Sequence, residues 1–178
     1  MAAALFCRLV PVDAEDAGEK VSVASAGLLQ GGYASPPEVV TVMAEMGIDL
    51  SEHRSTQLSS DVVAGADLVL CMARRHAREV VILDPAAWGR TFTLKAFVRR
   101  GDHFGHRTPG EPLGSWLGRL HAGRERTDLV GRSSEDDVAD PLGGPLDAFR
   151  MTAREIGTLV EHVAALLWAP RGIRTRPG

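Results

Sequence analysis

The chain has 178 residues, of which 44% are hydrophobic and 24% charged. This composition predicts one globular domain with a core of its own. The net charge of −3, with basic residues scattered among Asp and Glu, excludes the basic profile of a nucleic-acid-binding protein. The apolar run 163–169 is too short to span a bilayer. Two cysteines, Cys7 and Cys71, form no disulfide framework, and we expect a cytoplasmic protein without membrane partners.

The first half of the chain alternates predicted helices with short apolar segments. Gly47 ends one of these helices, and Ser59 or Ser60 can cap the next. The unbroken apolar run 68–72 is typical of a buried parallel strand. The predicted helices are 1–10, 38–46 and a short one ending at 64, and the predicted strands are 21–24 and 68–72.

The second half continues the alternation and ends in the strongest helical signal, because residues 146–168 carry one continuous apolar stripe. Strands that alternate with helices indicate an α/β fold, with a parallel sheet covered on both faces. Ligands of such sheets bind at the carboxyl ends of the strands. The other predictions are helices over 74–83, 95–100 and 113–120, a strand over 91–94, loops over 84–90 and 101–110, and a mobile polar segment over 124–136.

The segment 137–144, Asp-Val-Ala-Asp-Pro-Leu-Gly-Gly, is predicted to be a structured loop. Pro141 restricts φ and the two glycines accept positive φ, which is turn chemistry. A carboxylic acid held in such a loop can donate a proton to a leaving group. Asp140 is therefore a candidate catalytic acid. The alternative is that Asp140 only starts a turn before the last helix.

Four segments together resemble the low-molecular-weight protein tyrosine phosphatase family, which includes a branch of arsenate reductases. They are Ala24-Ser25-Ala26-Gly27, Gly47-Ile48-Asp49-Leu50-Ser51 with His53 and Arg54, Ala66 to Met72 with His76, and Asp137 to Gly143. The resemblance implies a three-layer α/β fold and hydrolysis of phosphotyrosine proteins or small aryl phosphates through a phosphocysteine, without cofactor or metal. It also implies that Asp140 protonates the leaving oxygen and then accepts a proton from the attacking water.

The chain departs from this family at its defining C-x5-R motif, whose Cys attacks phosphorus and whose loop binds the phosphoryl oxygens. Residue 13, six after Cys7, is Asp, and residue 77, six after Cys71, is Ala. We expect both cysteines to be small buried hydrophobic residues. Residues 1–5 resemble the segment that follows the motif. We therefore expect the family's first strand and phosphate-binding loop to be missing and the chain as written to be inactive.

Three functional interpretations follow from this departure. In the first, Met1 is a misassigned or alternative start of a longer phosphatase. In the second, the chain is a non-catalytic pseudo-phosphatase with a binding or regulatory role. The third and weakest, arsenate reduction, needs resolving cysteines, and Cys71 alone is too few.

The predicted domain covers residues 1–169, incomplete at its N-terminus, and residues 170–178 form a flexible basic tail. The His-x-x-His pattern of His103 and His106 indicates a polar surface loop rather than a metal site. Trp88 and Trp116 are predicted to pack in the core rather than to line a substrate cleft. We expect His76 to bond to a backbone or carboxylate partner. Leu142 follows Pro141, so the aromatic residue that the family often places there is not supplied.

Overall fold

The protein is represented by a computed structural model, described here for residues 1–10, 21–130 and 135–168. The described residues form seven α-helices, two β-strands and two 3₁₀ turns. The helices are α1 (Ala2–Cys7), α2 (Pro37–Glu45), α3 (Ser60–Ala64), α4 (Arg74–Leu83), α5 (Leu94–Phe104), α6 (Leu113–His121) and α7 (Leu146–Leu167). The strands are β1 (Val69–Cys71) and β2 (Thr91–Thr93), and the 3₁₀ turns are Pro85–Arg90 and Arg126–Leu129.

The two strands pair in parallel, with Leu70 opposite Phe92. Side chains alternate between the faces of β1, since Leu70 packs against one apolar cluster and Val69 and Cys71 belong with another. An α-helix, α4, connects the two strands, as a parallel pair requires. The predicted α/β architecture, a small parallel sheet with helices on both faces, is confirmed.

Each face of the sheet has its own apolar core. The larger core gathers buried side chains of α1, α2, β2, α5, α6 and α7 around Phe92, Phe97 and Trp116. Phe97 meets both Phe92 and Trp116 edge to face, at centroid distances of 5.4 and 5.5 Å. The smaller core joins β1 to α3, α4 and the two 3₁₀ turns. The carboxyl ends of the strands lie between these two layers, so residues that follow the strands form the candidate site.

Helix α7 packs against α1, α2 and α5. An ion pair joins α7 to α2, with Arg150 donating to both carboxylate oxygens of Glu45 at 2.7 and 2.9 Å. Gly101 lets α5 approach α7 closely, because a Cβ at position 101 would lie 2.3 Å from a methyl carbon of Leu166. Among the described residues, no helix is long and apolar enough to cross a membrane.

Several predictions of local structure are wrong or lie partly outside the described residues. The predicted loop 84–90 contains the 3₁₀ turn Pro85–Arg90. Residues 21–24 form no strand, because a strand needs a partner and the isolated bridge between Gly27 and Gln57 lies beyond this segment. The predicted loop 101–110 begins later, since α5 continues through Gly101 to Phe104. The polar segment 124–136 contains a 3₁₀ turn. Residues 131–134 and the predicted tail 170–178 lie outside the described residues.

Candidate active site

The Asp140 loop is attached to the carboxyl end of β1 by two hydrogen bonds. The N–H of Val138 donates to the carbonyl oxygen of Met72, at 2.8 Å. Asp137 Oδ1 accepts from the N–H of Arg74, also at 2.8 Å. This second bond satisfies an N–H in the first turn of α4, whose N-cap residue Ala73 provides no side-chain acceptor. The sequence therefore places Asp140 just beyond the edge of the sheet where ligands of α/β proteins bind.

Asp140 is accessible, and its orientation is set by its own loop. Its Oδ1 accepts from the N–H of Leu142 at 3.1 Å, the local turn that Asp commonly forms. Gly144 closes the turn by donating to the Pro141 carbonyl at 2.9 Å, and Gly143 supplies the positive φ, 81°. The side chain of Asp140 is 61% exposed. A carboxyl group held in this way can reach a group bound outside the sheet edge.

Two basic residues of α4 lie beside this carboxylate. Arg75 Nη2 is 3.6 Å from Asp140 Oδ2, and its Nε donates to His76 Nε2 at 3.1 Å. The imidazole therefore accepts a hydrogen bond and is neutral in this arrangement. Burial, followed by the charge of Arg75, lowers the pKa of His76, against the opposing charges of Asp137 and Asp140. The expectation of a backbone or carboxylate partner for His76 is wrong, because its Nε2 accepts a hydrogen bond from the guanidinium of Arg75 instead.

Asp136 is a buried carboxylate that the sequence analysis missed. It accepts from Arg99 Nη1 at 2.6 Å and from Arg74 Nη2 at 3.2 Å. Burial would raise the pKa of Asp136, but the hydrogen bonds and charges of Arg99 and Arg74 outweigh that effect, and the pKa is lowered. Asp136 therefore joins the start of the Asp140 loop to α4 and α5. The available signal was the run of three acidic residues, 135–137, directly before the turn.

The two cysteines occupy different environments. Cys71 is buried at the end of β1, as predicted, and burial raises the pKa of its thiol to about 12. Cys7 ends α1 and is exposed. The prediction that Cys7 is buried is wrong, because Leu5 rather than Cys7 turns from this helix into the core. A thiol with so high a pKa is a poor nucleophile at neutral pH, since the thiolate is the attacking species.

The remaining candidates have mainly structural contacts. Trp88 and Trp116 are buried, which confirms packing for both, and the Trp116 indole donates to the Gly105 carbonyl at 3.0 Å. His103 lies in the last turn of α5 and meets the ring of Phe104. Within the described residues, no group of three or more His, Cys, Asp or Glu side chains could hold a metal ion.

A cleft of about 400 Å³ is lined in part by Asp136, and we call it the arginine cleft. Its lining includes the four arginines Arg74, Arg99, Arg100 and Arg124, with the carboxylates Asp128 and Asp136. These arginines are dispersed in sequence, but the fold gathers them from the start of α4 (Arg74), the middle of α5 (Arg99 and Arg100) and Arg124, which follows α6. The doublets Arg74-Arg75 and Arg99-Arg100 were the only sequence signal for this site.

Comparison with known proteins agrees with this architecture. Residues 1–110 match the family described as Low molecular weight phosphotyrosine protein phosphatase. A probable low molecular weight protein-tyrosine-phosphatase, EpsP of Ralstonia solanacearum, is 45% identical over 75 residues, covering 42% of this chain and 52% of EpsP. The match thus spans about half the length of that relative.

Two further similarities cover more of the chain. A protein-arginine-phosphatase of Geobacillus stearothermophilus is 29% identical over 148 residues, 83% of this chain and 77% of that protein. The crystal structure of a low molecular weight protein tyrosine phosphatase from T. tengcongensis superposes with a TM-score of 0.61 and 29% identity, covering 91% of this chain and 86% of that one. The chain belongs to the low molecular weight phosphotyrosine protein phosphatase family.

Proposed function

We propose that this chain carries the proton-donating part of a phosphomonoester hydrolase site, with Asp140 as its general acid and base. The observation that supports this most directly is the exposed Asp140 carboxyl, held beyond the carboxyl end of β1 by Val138 and Asp137. The conjugate acid of a phenolate leaving group, a phenol, has a pKa of about 10. The phenolate therefore departs poorly unless a proton is delivered to its oxygen.

The reaction needs a thiolate that we propose this chain does not supply by itself. The thiolate attacks phosphorus, the bond between phosphorus and the ester oxygen breaks, and the Asp140 proton passes to that oxygen. Water then attacks the phosphorus of the phosphocysteine, the bond between sulfur and phosphorus breaks, and the Asp140 carboxylate accepts a proton from the water, which releases phosphate and regenerates the thiolate. Cys71 is buried with a raised pKa, and neither cysteine is followed by Arg at the sixth position. Hydrolysis therefore belongs to a polypeptide that also contains a C-x5-R loop.

The substrate is proposed to be a phosphoprotein or a small aryl phosphate. The relatives include proteins named as tyrosine phosphatases and as arginine phosphatases, so both phosphotyrosine and phosphoarginine are candidates. Leu142, which is 69% exposed beside Asp140, offers an apolar contact where the family often has an aromatic ring. Both cysteines of the chain, Cys7 and Cys71, are free thiols, which suit the cytoplasm. We propose the cytoplasm as the location of the protein.

The proposal is tested by comparing the 178-residue chain with a form extended upstream through any in-frame C-x5-R. The 178-residue chain should be inert toward aryl phosphates, since loss of a covalent nucleophile costs about a millionfold in rate. The extended form should be active. Asp140→Asn in that form should slow phenyl phosphate about 100-fold or more, and p-nitrophenyl phosphate less, because its leaving group needs less protonation.

Asp147→Asn is the matched control, because Asp147 is also an exposed acid seven residues away, in the first turn of α7. It should leave both rates unchanged. Turnover by the 178-residue chain, or equal rates for Asp140→Asn and the parent on phenyl phosphate, would contradict the proposal.

A non-catalytic binding or regulatory domain is the second candidate, favoured by the position of both cysteines outside a C-x5-R motif. An upstream reading frame without this motif would support it over hydrolysis. Arsenate reduction is weaker, because passing on a disulfide requires resolving cysteines and Cys71 is buried. A thioredoxin-coupled arsenate assay of the extended form separates this activity from the other two.

A further inference from the structure

The arginine cleft carries more positive than negative charge. Among the residues that the structure describes, its lining has four guanidinium groups and two carboxylates, an excess of two positive charges. Asp136 is shared between Arg74 and Arg99. Glu135, outside the lining, also attracts Arg99. The remaining lining carboxylate, Asp128, attracts both Arg100 and Arg124. One negative charge faces two positive charges there, so the excess positive charge lies on this side of the cleft.

Arg100 and Arg124 donate to backbone carbonyl groups, which carry no net charge, and Arg124 Nη1 also lies 3.3 Å from His121 Nδ1. Arg100 donates to the carbonyls of Leu120 and Ala122. Arg124 donates to the carbonyl of Thr91 at 2.7 Å. Burial, and then repulsion by Arg100, lowers the pKa of Arg124 to about 10. The charges of Asp128 and Asp136 oppose this effect without cancelling it, so the charge of Arg124 is only partly compensated, and a bound anion would stabilise it.

These cations are also preorganised. The Arg124 guanidinium lies between two rings, 3.9 Å from the centroid of Trp88 and 4.1 Å from that of Phe92. Arg100 packs on the ring of Phe104. Side chains held in this way lose little conformational entropy when a ligand binds. The planar guanidinium fork matches the oxygens of a phosphate group better than an ammonium would.

The arginine cleft adjoins the proposed active site. Asp136 lines the cleft, and Asp140 follows four residues later, so their Cα atoms are at most about 14 Å apart. Arg74 lines the cleft, and the next residue, Arg75, contacts Asp140. A group in the cleft and a phosphate ester at Asp140 can therefore belong to one substrate molecule.

We propose that the arginine cleft binds a second phosphate group of a multiply phosphorylated substrate, about four residues from the phosphate that is hydrolysed. The binding of phosphate follows from the cleft alone, and its role in substrate choice rests on the proposed function. The 178-residue chain has no C-x5-R loop, so a phosphate titration of this chain reports on the cleft rather than on the family's catalytic loop.

The test is isothermal titration calorimetry of the 178-residue chain with inorganic phosphate. Arg100→Gln and, separately, Arg124→Gln should each weaken binding about tenfold or more, because each removes one of the two cations at which the excess charge lies. Arg119→Gln is the control, since it removes an equally charged side chain that pairs with Glu111 outside the cleft. Thermal unfolding of each variant identifies any that is not folded, and two separate cleft variants keep the test decisive. Equal affinity in all four proteins would overturn the proposal.

Comparing the binding of two peptides shows whether the cleft binds a second phosphate of the substrate or only free phosphate. One carries phosphotyrosine alone, and the other adds phosphoserine four residues away. The doubly phosphorylated peptide should bind about tenfold more tightly, and Arg100→Gln should remove that difference while Arg119→Gln retains it. If inorganic phosphate binds but the peptides do not differ, the cleft holds free phosphate and the substrate role is wrong. Because no turnover is measured, either result leaves the hydrolytic role of Asp140 to its own assay.

Discussion

At the scale of single residues, the position of the Asp140 loop depends on a buried carboxylate, Asp136, that the sequence analysis did not identify. Asp140 is held by its own turn, but Asp136 joins the loop to Arg74 and Arg99. Arg74 is only 20% exposed, so its charge is partly desolvated and needs the partner. Removing one member of such a group leaves the other charge buried without compensation.

Asp136→Asn should lower the free energy of unfolding by about 1–3 kcal/mol at pH 7. The folded pKa of Asp136 lies below its ordinary value of 3.8, so this stabilisation is present above about pH 4 and is lost as the pH falls through the folded pKa. Urea unfolding of the parent and the variant at pH 7, 5 and 3 measures the difference. It should be the same at pH 7 and 5 and smaller at pH 3.

Asp147→Asn serves as the comparison, because Asp147 is 83% exposed in its ion pair with Arg150 and should contribute little. A constant difference between Asp136→Asn and the parent over all three pH values would show that the carboxylate charge is not the source of the stabilisation.

Sequence reasoning located Asp140 but not Asp136, and the reason is distance along the chain. The turn around Asp140 is local chemistry, encoded by Pro141 and two glycines. The partners of Asp136 are 62 and 37 residues away, and sequence patterns do not reveal which cations a fold will bring to a carboxylate. The same limit hid the arginine cleft, whose four cations come from three separate places in the chain.

At the scale of elements, local signals set most boundaries correctly. Helix α4 spans 74–83 as predicted, because Pro85 follows its apolar stripe closely. Ser59 caps α3 as predicted, by accepting from the N–H of Val62. Helix α5 was predicted too short, because glycine usually disfavours helix, whereas Gly101 is retained in α5 at its contact with Leu166. Packing therefore overrode the propensity of this residue.

Gly101→Ala should destabilise the protein by about 1–3 kcal/mol, although alanine favours helix by about 1 kcal/mol. The new Cβ would lie 2.3 Å from one methyl carbon of Leu166, and that side chain is completely buried and has no free space to move into. Thermal and urea unfolding measure the change.

Gly118→Ala in α6 is the matched control, since nothing lies within 4 Å of a Cβ at that position. This substitution should stabilise the protein by up to about 1 kcal/mol. Stabilisation by both substitutions would contradict the close approach of α5 and α7.

At the scale of the whole molecule, the two cysteines report on different parts of the fold. Cys71 belongs to the smaller core, and its pKa of about 12 leaves about one thiol in ten thousand ionised at pH 8. Cys7 is exposed at the end of α1. Reaction of Cys71 therefore requires the sheet and α4 to separate, whereas reaction of Cys7 does not.

A thiol reagent such as 5,5′-dithiobis(2-nitrobenzoate) at pH 8 should label one site per chain rapidly and the second only when urea unfolds the protein. Cys7→Ser should abolish the rapid phase, and Cys71→Ser should retain it. Rapid labelling of two sites in native buffer would mean that the smaller core opens without global unfolding.

The contacts of α7 also determine when the larger core can be completed during synthesis of the chain. This helix covers α1, α2 and α5, which emerge from the ribosome first. Until residues 146–167 are translated, the faces of those three helices that contact α7 stay exposed to water, although α5 can already pack on β2 and α6. A ribosome paused before α7 would therefore hold an unfinished core, the state in which chaperones bind exposed apolar segments.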